Sequence, residues 1–551
     1  MIKNKRKSPR TIVSLLTLAI AALGTLSFKQ GYFDISKNLE IFTSVYRELN
    51  TYYVDDTQPG ELMKTGIDAM MKSLDPYTVY YPESKIEDVR FMNTGQYGGI
   101  GVKVNTIGEK ITITNIFEGS KSQDSGIKIG DVIVALDGNN VRGKNHIEIN
   151  DLIKGANGSI LEITVERPNT VGTLDFNIER GEVQVPDIPY YGMLDDKTGF
   201  IALRSFTKTS SSEVKRTFLD LKNQGMKQLV FDLRNNGGGL LREAVNIVNF
   251  FVPKGQEIVS TRGKIEDWNK SYGALNEPLD LNIPIVVLVN GSSASASEIV
   301  SGTLQDLDRA VVVGQKSFGK GLVQQTKDLD YNAKMKLTVA KYYTPSGRCI
   351  QKLNYSEKNA DGSIAEVPDS LIKPFATSKG RPVFDGRGID PDVKVEKVKP
   401  SNIQKALERE FILFDFATLF SQKQDSIDSP KDFSFSDEDY SEFTKYALAR
   451  EFELSTTTES LIEKLKKSAE DEKYFEGAEA EYQALQNKFR PNKKRDLENF
   501  QAEITKILKE EIINRYYGNP GLAEHRLSDD QVIKEALNVL ATDYKKILKQ
   551  E

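Results

Sequence analysis

Residues 283–289 read IPIVVLV, and an unbroken apolar run of this length, rich in β-branched side chains, suits a buried strand. Two runs of the same kind flank it, Leu229-Val-Phe-Asp-Leu233 and Ala310-Val-Val-Val313. The first leads through a glycine turn into a helical pattern over 241–252. The run at 283–289 leads through a serine-rich turn into another over 295–307. Buried strands alternating with helices between 199 and 399 predict an α/β layer structure, with a long polar excursion at 354–388.

At 551 residues the chain exceeds one domain, a domain being roughly 150 residues. Leu39, Phe42, Val45, Tyr46 and Leu49 recur at helical spacing, so 35–74 reads as helices up to a break at Leu74-Asp-Pro-Tyr-Thr78. From 97 to 180 the signals change to short strands at 111–114, 131–136 and 160–165, with Asp137-Gly138 and Asn157-Gly158 as turns. After Pro400 the composition turns charged and helical. Ile504, Leu508 and Ile512 form one face. Ser528-Asp-Asp-Gln531 is a capping-box pattern opening a helix with Ile533, Leu537, Leu540, Tyr544 and Ile547 on one side. The resulting division is 1–30, 31–95 (helical), 96–182 (mostly β), 183–400 (α/β core) and 401–551, a helical accessory module. Its apolar stripes predict packing against the core or self-association into a homo-oligomer.

Lys3, Lys5, Arg6, Lys7 and Arg10 precede an apolar run over 12–28, the pattern of a secretory signal peptide or an N-terminal membrane anchor. The rest of the chain is expected across the membrane, periplasmic or attached to the outer face of the inner membrane. A net charge of −5 and a pI near 5.6 leave no basic footprint for nucleic acid. The single cysteine, Cys349, excludes an intrachain disulfide and reads as a packing residue. Histidine narrows the chemistry most. There are two, His146 and His525, far apart in sequence, so a multi-histidine zinc site is all but without ligands. His146 reads as a surface or capping residue ahead of a helix, and His525 as a loop residue without a partner.

Three segments carry candidate chemistry. Asn290-Gly-Ser-Ser-Ala-Ser-Ala-Ser-Glu298 lies between a strand and a helix, where unpaired N–H groups and the positive end of the helix dipole face a developing oxyanion. It also suits an ordinary serine-rich N-cap, and spacing does not choose among its four serines. Gly314-Gln-Lys-Ser-Phe-Gly-Lys-Gly321 contains the phosphate-loop pattern G-x-x-x-x-G-K. Gly321, however, stands where magnesium needs a hydroxyl, and Leu322-Val-Gln-Gln-Thr326 leans towards strand, which removes the helix dipole. Lys320 has a better use. A serine nucleophile needs a base, and with histidine scarce a lysine is the available one. Burial beside apolar groups such as Phe318 is expected to bring its amine towards neutrality. A glycine-flanked lysine can equally be a solvated loop cation. The third segment, Leu233-Arg-Asn-Asn-Gly-Gly-Gly-Leu240, suits an oxyanion hole or a tight turn.

Together these segments resemble the carboxyl-terminal processing peptidases, or tail-specific proteases. The match runs through Leu74-Asp-Pro-Tyr77, Gly98-Gly-Ile-Gly-Val102, Phe231 to Gly239, Ser293 to Glu298, Ser317 to Gly321 with Val323 and Gln324, Tyr342-Tyr-Thr-Pro-Ser-Gly347 and Gly386 to Val393, in the family's order. The resemblance implies a multidomain α/β protein: a crotonase-like protease core with an inserted, mostly β PDZ domain and helical N- and C-terminal regions. It implies Ser295 as nucleophile, Lys320 as general base 25 residues on, and Gln324 orienting the amine. The N–H of Ala296, with that of Gly237 or Gly238, would form the oxyanion hole. Gly98, Gly99, Ile100, Gly101 and Val102 would hold the terminal carboxylate of a substrate tail, which adds as a strand. No cofactor or metal is implied. Two other classes fit parts of the pattern. A catalytically idle PDZ scaffold or chaperone would be marked by loss of Ser295 or Lys320, and both are present. A crotonase-like acyl-CoA enzyme needs neither a PDZ module nor an export signal.

Overall fold

The computed structural model describes residues 33–549 and divides the chain into two compact units, 33–80 with 326–337 and 81–325 with 338–549. The apolar run at 12–28 lies outside the described residues, among which no helix is long and apolar enough to cross a membrane. In the first unit the helical spacing becomes two helices, 33–52 and Pro59–Lys72. Tyr46 ties them, its hydroxyl donating to the Pro59 carbonyl at 2.8 Å.

The second unit opens with an inserted domain. The chain enters it through the strand Gln96–Gly99 and leaves through Gly181–Gln184, and these pair antiparallel with each other. Entry and exit thus lie side by side, which is what insertion into another domain requires. Between them runs an antiparallel sheet in the order Val102–Ile107, Lys110–Ile116, Val132–Leu136, Ile160–Glu166, Thr173–Glu179. In Ile160–Glu166 the residues Leu161, Ile163 and Val165 are buried and Ile160 and Glu162 exposed, the period-two signature of a half-buried strand. Val102–Ile107 is the edge strand, and the helix His146–Ile153, capped by Asn145, packs beside it.

The α/β core is a six-stranded sheet in the order Tyr190–Met193, Thr198–Ala202, Gln228–Asp232, Ile285–Val289, Val311–Gly314, Val393–Lys394, parallel after its first, antiparallel pair. Its strands Ile285–Val289 and Val311–Gly314 carry no polar side chain because both faces are covered. Ile201, Leu229, Phe231, Ile285, Val287 and Val312 face the helices Ser210–Asn223, Leu241–Asn249 and Ala296–Asp306. Phe200, Val230, Val286, Leu288, Val311 and Val313 face the last helices of the chain, Gln531–Ala541 and Tyr544–Ile547, through Ile533, Ala536, Val539 and Tyr544. A smaller sheet, with Glu257–Gly263 paired to Lys334–Tyr343 at Gly263–Ala340, stands beside it.

Beyond Pro400 the helices Asn402–Arg409, Ile412–Ser421, Asp437–Leu448, Lys493–Asn499 and Gln501–Asp529, the last broken by a kink at Gly518 (φ 58°, ψ −160°), enclose a core of their own around Phe416, Phe443, Ile504, Leu508 and Ile512. Residues 531–548, the end of the stretch expected as an accessory module over 401–551, pack on the core sheet, because it has a second apolar face that must be covered, and the Tyr544 hydroxyl accepts the Ile285 N–H at 3.0 Å. The helix Gln531–Ala541 opens not at Ser528, whose hydroxyl bonds the His525 carbonyl inside the preceding helix, but at Asp530, which accepts the N–H groups of Val532 and Ile533 at 2.8 and 3.2 Å. Finally, the stripes Ile504–Leu508–Ile512 and Leu537–Leu540–Tyr544 are consumed within the chain, so neither is free for a second copy.

Candidate active site

The strand Ile285–Val289 and the helix Ala296–Asp306 are joined by the serine-rich turn, and the structure separates its serines by what their hydroxyls do. Ser293 Oγ donates to the Leu233 carbonyl at 2.8 Å and Ser297 Oγ to that of Asn236 at 2.8 Å, both fully buried. These two hydroxyls fasten the turn to its neighbour. Ser292 is exposed on the outer bend. Ser295, half-buried at the N-cap, has φ 56° and ψ −113°. That backbone is strained for a residue with a side chain, and such strain is retained where a nucleophile is presented on a sharp strand-to-helix turn.

The glycine turn after Gln228–Asp232 closes on this bend. A Cβ on Gly238, which has φ 103°, would lie 2.8 Å from Ser295 Cβ and 3.0 Å from Ala296 N, so only glycine permits the approach. Ala294 N–H donates to the Asn236 carbonyl at 3.0 Å, and Asn235 and Asn290 exchange hydrogen bonds at 2.9 and 3.0 Å. The N–H groups of Gly237 and Gly238 differ in their partners. Gly238 N–H donates to Asn236 Oδ1 at 2.9 Å, whereas among the described residues no acceptor takes the N–H of Gly237 or Ala296.

Glu298 joins this turn to the lysine loop. Its carboxylate, fully buried, accepts the backbone N–H of Ser295 at 2.8 Å and of Lys320 at 2.9 Å on Oε2. On Oε1 it accepts the Gly319 N–H at 2.7 Å and the Ser317 hydroxyl at 2.5 Å. Burial pushes its pKa up, against the pull of these four donors. Phe318 N–H adds a bond to the Ser293 carbonyl at 3.0 Å. The lysine loop is held from behind by Lys352 N–H on the Gly319 carbonyl (2.9 Å) and Gly321 N–H on Gln351 Oε1 (2.8 Å). It runs on into the strand Leu322–Asp328, not a helix, as the phosphate-loop argument requires. Gln324 donates its amide to Thr338 Oγ1 at 3.2 Å. Tyr342, wholly buried, donates its hydroxyl to the Ser295 carbonyl at 3.1 Å.

Ser295, Lys320, Ala296 and Gly237 therefore share one site, with Gln324 on the strand that leaves it. Phe318, named in the expectation that apolar neighbours bury the lysine amine, is 39% exposed. Sequence reasoning missed the role of Glu298, although Ser-x-x-Glu at 295–298 is itself a capping-box signal. It also missed Tyr342, whose contact has no local signature.

In the inserted domain the Gly98–Val102 loop is shaped by close approaches. A Cβ on Gly98 would lie 2.3 Å from the Gly155 carbonyl oxygen, and one on Gly101, φ 84°, 2.1 Å from Ser120 Cβ. Among the described residues no acceptor takes the N–H of Ile100 or Gly101. His146 begins the adjacent helix, its Nδ1 3.2 Å from Thr106 Oγ1. His525 is not a loop residue: it lies in the helix Gln501–Asp529, its Nδ1 2.8 Å from the Pro430 carbonyl. Cys349 is partly buried, and burial pushes its thiol pKa up.

Three family models match the sequence: "Peptidase family S41" over 197–357, "PDZ domain" over 112–167, and "Probable PDZ-protease, C-terminal helical domain" over 403–540. Among curated relatives, a carboxy-terminal-processing protease of Bartonella bacilliformis is 35% identical over 319 residues, 57% of this chain and 73% of that protein. A probable CtpA-like serine protease of Staphylococcus aureus (strain COL) is 34% identical over 343 residues, 61% of this chain and 68% of that protein. The solved photosystem II D1 C-terminal processing protease is 25% identical, with 68% of this chain and 97% of that one covered, at a TM-score of 0.35.

Proposed function

Because this chain belongs to peptidase family S41, among the carboxy-terminal-processing serine proteases with a PDZ domain, we propose that it is an endopeptidase whose nucleophile is Ser295 and whose general base is Lys320. The neutral amine of Lys320 takes the proton of Ser295 Oγ as the oxygen attacks the scissile carbonyl. The oxyanion forms against the N–H groups of Ala296 and Gly237, at the positive end of the helix Ala296–Asp306. The ammonium returns its proton to the leaving amine, and a water then cleaves the acyl ester by the same route. Gln324, with its amide donating to Thr338, has its carbonyl oxygen to orient the ammonium. The observation that carries this reading is the Glu298 carboxylate, which holds the Ser295 and Lys320 loops on a single buried group. Digestion of an unstructured protein by wild type and Ser295→Ala, with products read by mass spectrometry, tests it. Undiminished cleavage by folded Ser295→Ala places the nucleophile elsewhere.

Substrates are captured by their C-terminal tails. The unpaired N–H groups of Ile100 and Gly101 receive the terminal carboxylate, and the open edge of Val102–Ile107 receives the tail as an added strand. The basic start and the apolar run at 12–28 support export, to the periplasm or the outer face of the inner membrane. Protease digestion of spheroplasts tests this, an enzyme protected from added protease arguing against it. The hairpin of Thr457–Asp471 and Glu479–Phe489, where Leu461, Leu465 and Phe489 are exposed, offers one apolar surface for assembly of copies. Light scattering decides it.

A further inference from the structure

We propose that Asp530, at the start of the helix Gln531–Ala541, is a positioning residue for the oxyanion turn 234–239, acting through Arg234. The inference rests on the serine-peptidase reading of that turn. Arg234 is the turn's first residue. Its backbone N–H and Nε both donate to Asp232 Oδ1 at 2.9 Å, its Nη2 to Asp232 Oδ2 at 2.9 Å, and its Nη1 to Asp530 Oδ2 at 2.7 Å. The guanidinium is thus gripped from both sides, by a carboxylate of the sheet and by one brought from almost 300 residues along the chain. Burial alone would lower the pKa of Arg234, but the two carboxylates outweigh it and keep the group charged.

What Arg234 fixes is passed on at once. Asn235 is bonded to Asn290 of the nucleophile turn. Asn236 accepts the Gly238 N–H on its side chain, and on its carbonyl the Ala294 N–H and the Ser297 hydroxyl. Gly237 lies between these anchors, so a shift of Arg234 moves the very N–H that is to meet the oxyanion. Asp530 meanwhile stands at the end of the helix Gln501–Asp529, in the module that also holds the PDZ domain. Thr418 presses on Gly130, where a Cβ would lie 2.3 Å away, and Gln422 bonds Asn169 at 3.0 Å. One module therefore grips both the tail-binding domain and the first residue of the oxyanion turn.

The two oxygens of Asp530 separate the structural role from the proposed one. Oδ1 caps the helix and Oδ2 meets Arg234. Asn and Ser both cap helices well but leave Arg234 without its second carboxylate. In the full-length protein, Asp530→Asn and Asp530→Ser should lower kcat on a short peptide by about tenfold with KM within about twofold, a fraction of what losing an oxyanion donor does. Affinity for a peptide boronate, whose adduct places an oxygen in the oxyanion position, should fall by the same factor. Asp530→Glu, which keeps a carboxylate, should recover part of both. Rates are normalised to titrated active sites, so a fall that vanishes on normalisation overturns the proposal, as do unchanged kcat and boronate affinity in whichever of the two variants folds. Ser295→Ala run beside them keeps the two readings apart. Peptide turnover that does not depend on Ser295 defeats the serine-peptidase reading itself, whereas Ser295-dependent turnover unaffected by Asp530→Asn defeats only the positioning role.

Discussion

The backbone N–H of Ser295 and that of Lys320 end on one atom, Oε2 of Glu298, at 2.8 and 2.9 Å. The chain segments that carry the proposed nucleophile and base are therefore a single hydrogen-bonded body. Their relative position does not depend on the long, flexible side chain of the lysine alone. Preorganisation of this kind is what a two-residue catalytic pair needs, since a small displacement of either partner breaks the proton transfer.

Glu298→Gln tests the clamp. The carboxylate offers only acceptors to four donors, and an amide in either orientation turns an NH2 group against one of the pairs. Loss of such buried bonds should reduce unfolding free energy by roughly 1–3 kcal/mol and kcat by about tenfold or more. Denaturant titration and steady-state kinetics measure the two. Wild-type turnover in Glu298→Gln would mean that the loops are held by Phe318 and Ser293 without it.

Ser295→Ala and Lys320→Ala should each abolish peptide cleavage while thermal unfolding stays near that of wild type. Lys320→Arg should be equally inactive, because a guanidinium does not give up its proton. Turnover in Lys320→Arg would show that charge, not proton acceptance, is what the site uses.

A substrate with a free, apolar C-terminus should be cut faster than the same chain amidated or ending in a charged residue. Gly101→Ala should erase the difference, because its Cβ would meet Ser120 and φ is 84°. The comparison is one of kcat/KM values on three matched peptides. Equal values for all three in the wild type would remove tail selection from the PDZ domain.

Asp232 is fully buried between Arg234 and Arg204. Burial by itself would raise its pKa, but the guanidiniums outweigh burial and hold it below the usual carboxylate range. A group depressed in this way stabilises the fold above its unfolded pKa, about 3.9, and the contribution is lost as pH falls through the lowered value. Urea unfolding should show the wild type losing stability below about pH 4 more steeply than Asp232→Asn, which is already weaker at neutral pH. Parallel acid profiles would assign the acid sensitivity to other carboxylates.

Removal of residues 531–551 should yield insoluble protein, since it uncovers Phe200, Val230, Val286, Leu288, Val311 and Val313 on one face of the core sheet. Burying each large apolar side chain is worth about 1.5–3 kcal/mol, so Ile533, Val539, Tyr544 and Leu548 together approach the roughly 5–15 kcal/mol by which a domain is stable. A soluble, active truncation would show that this face is covered in some other way.

The sequence alone determined the layer structure, the β module and the segments that carry the candidate chemistry, because these are written in local periodicity, in glycine placement and in short motifs. An apolar run such as 285–289 has one stable solution, and an insertion leaves its mark at both ends. Residue spacing does not choose among the serines at 292, 293, 295 and 297; only the family resemblance singles out Ser295. The choice lies in which hydroxyls are taken by Leu233 and Asn236 and which residue is forced to φ 56°, all of them consequences of a second turn packing against the first. Nor could it place Asp530 against Arg234, or the last helices on the back of the sheet. A helical stripe states that it must be buried but not against what, and only the folded chain, having left one face of the core sheet uncovered until its final residues, supplied the partner.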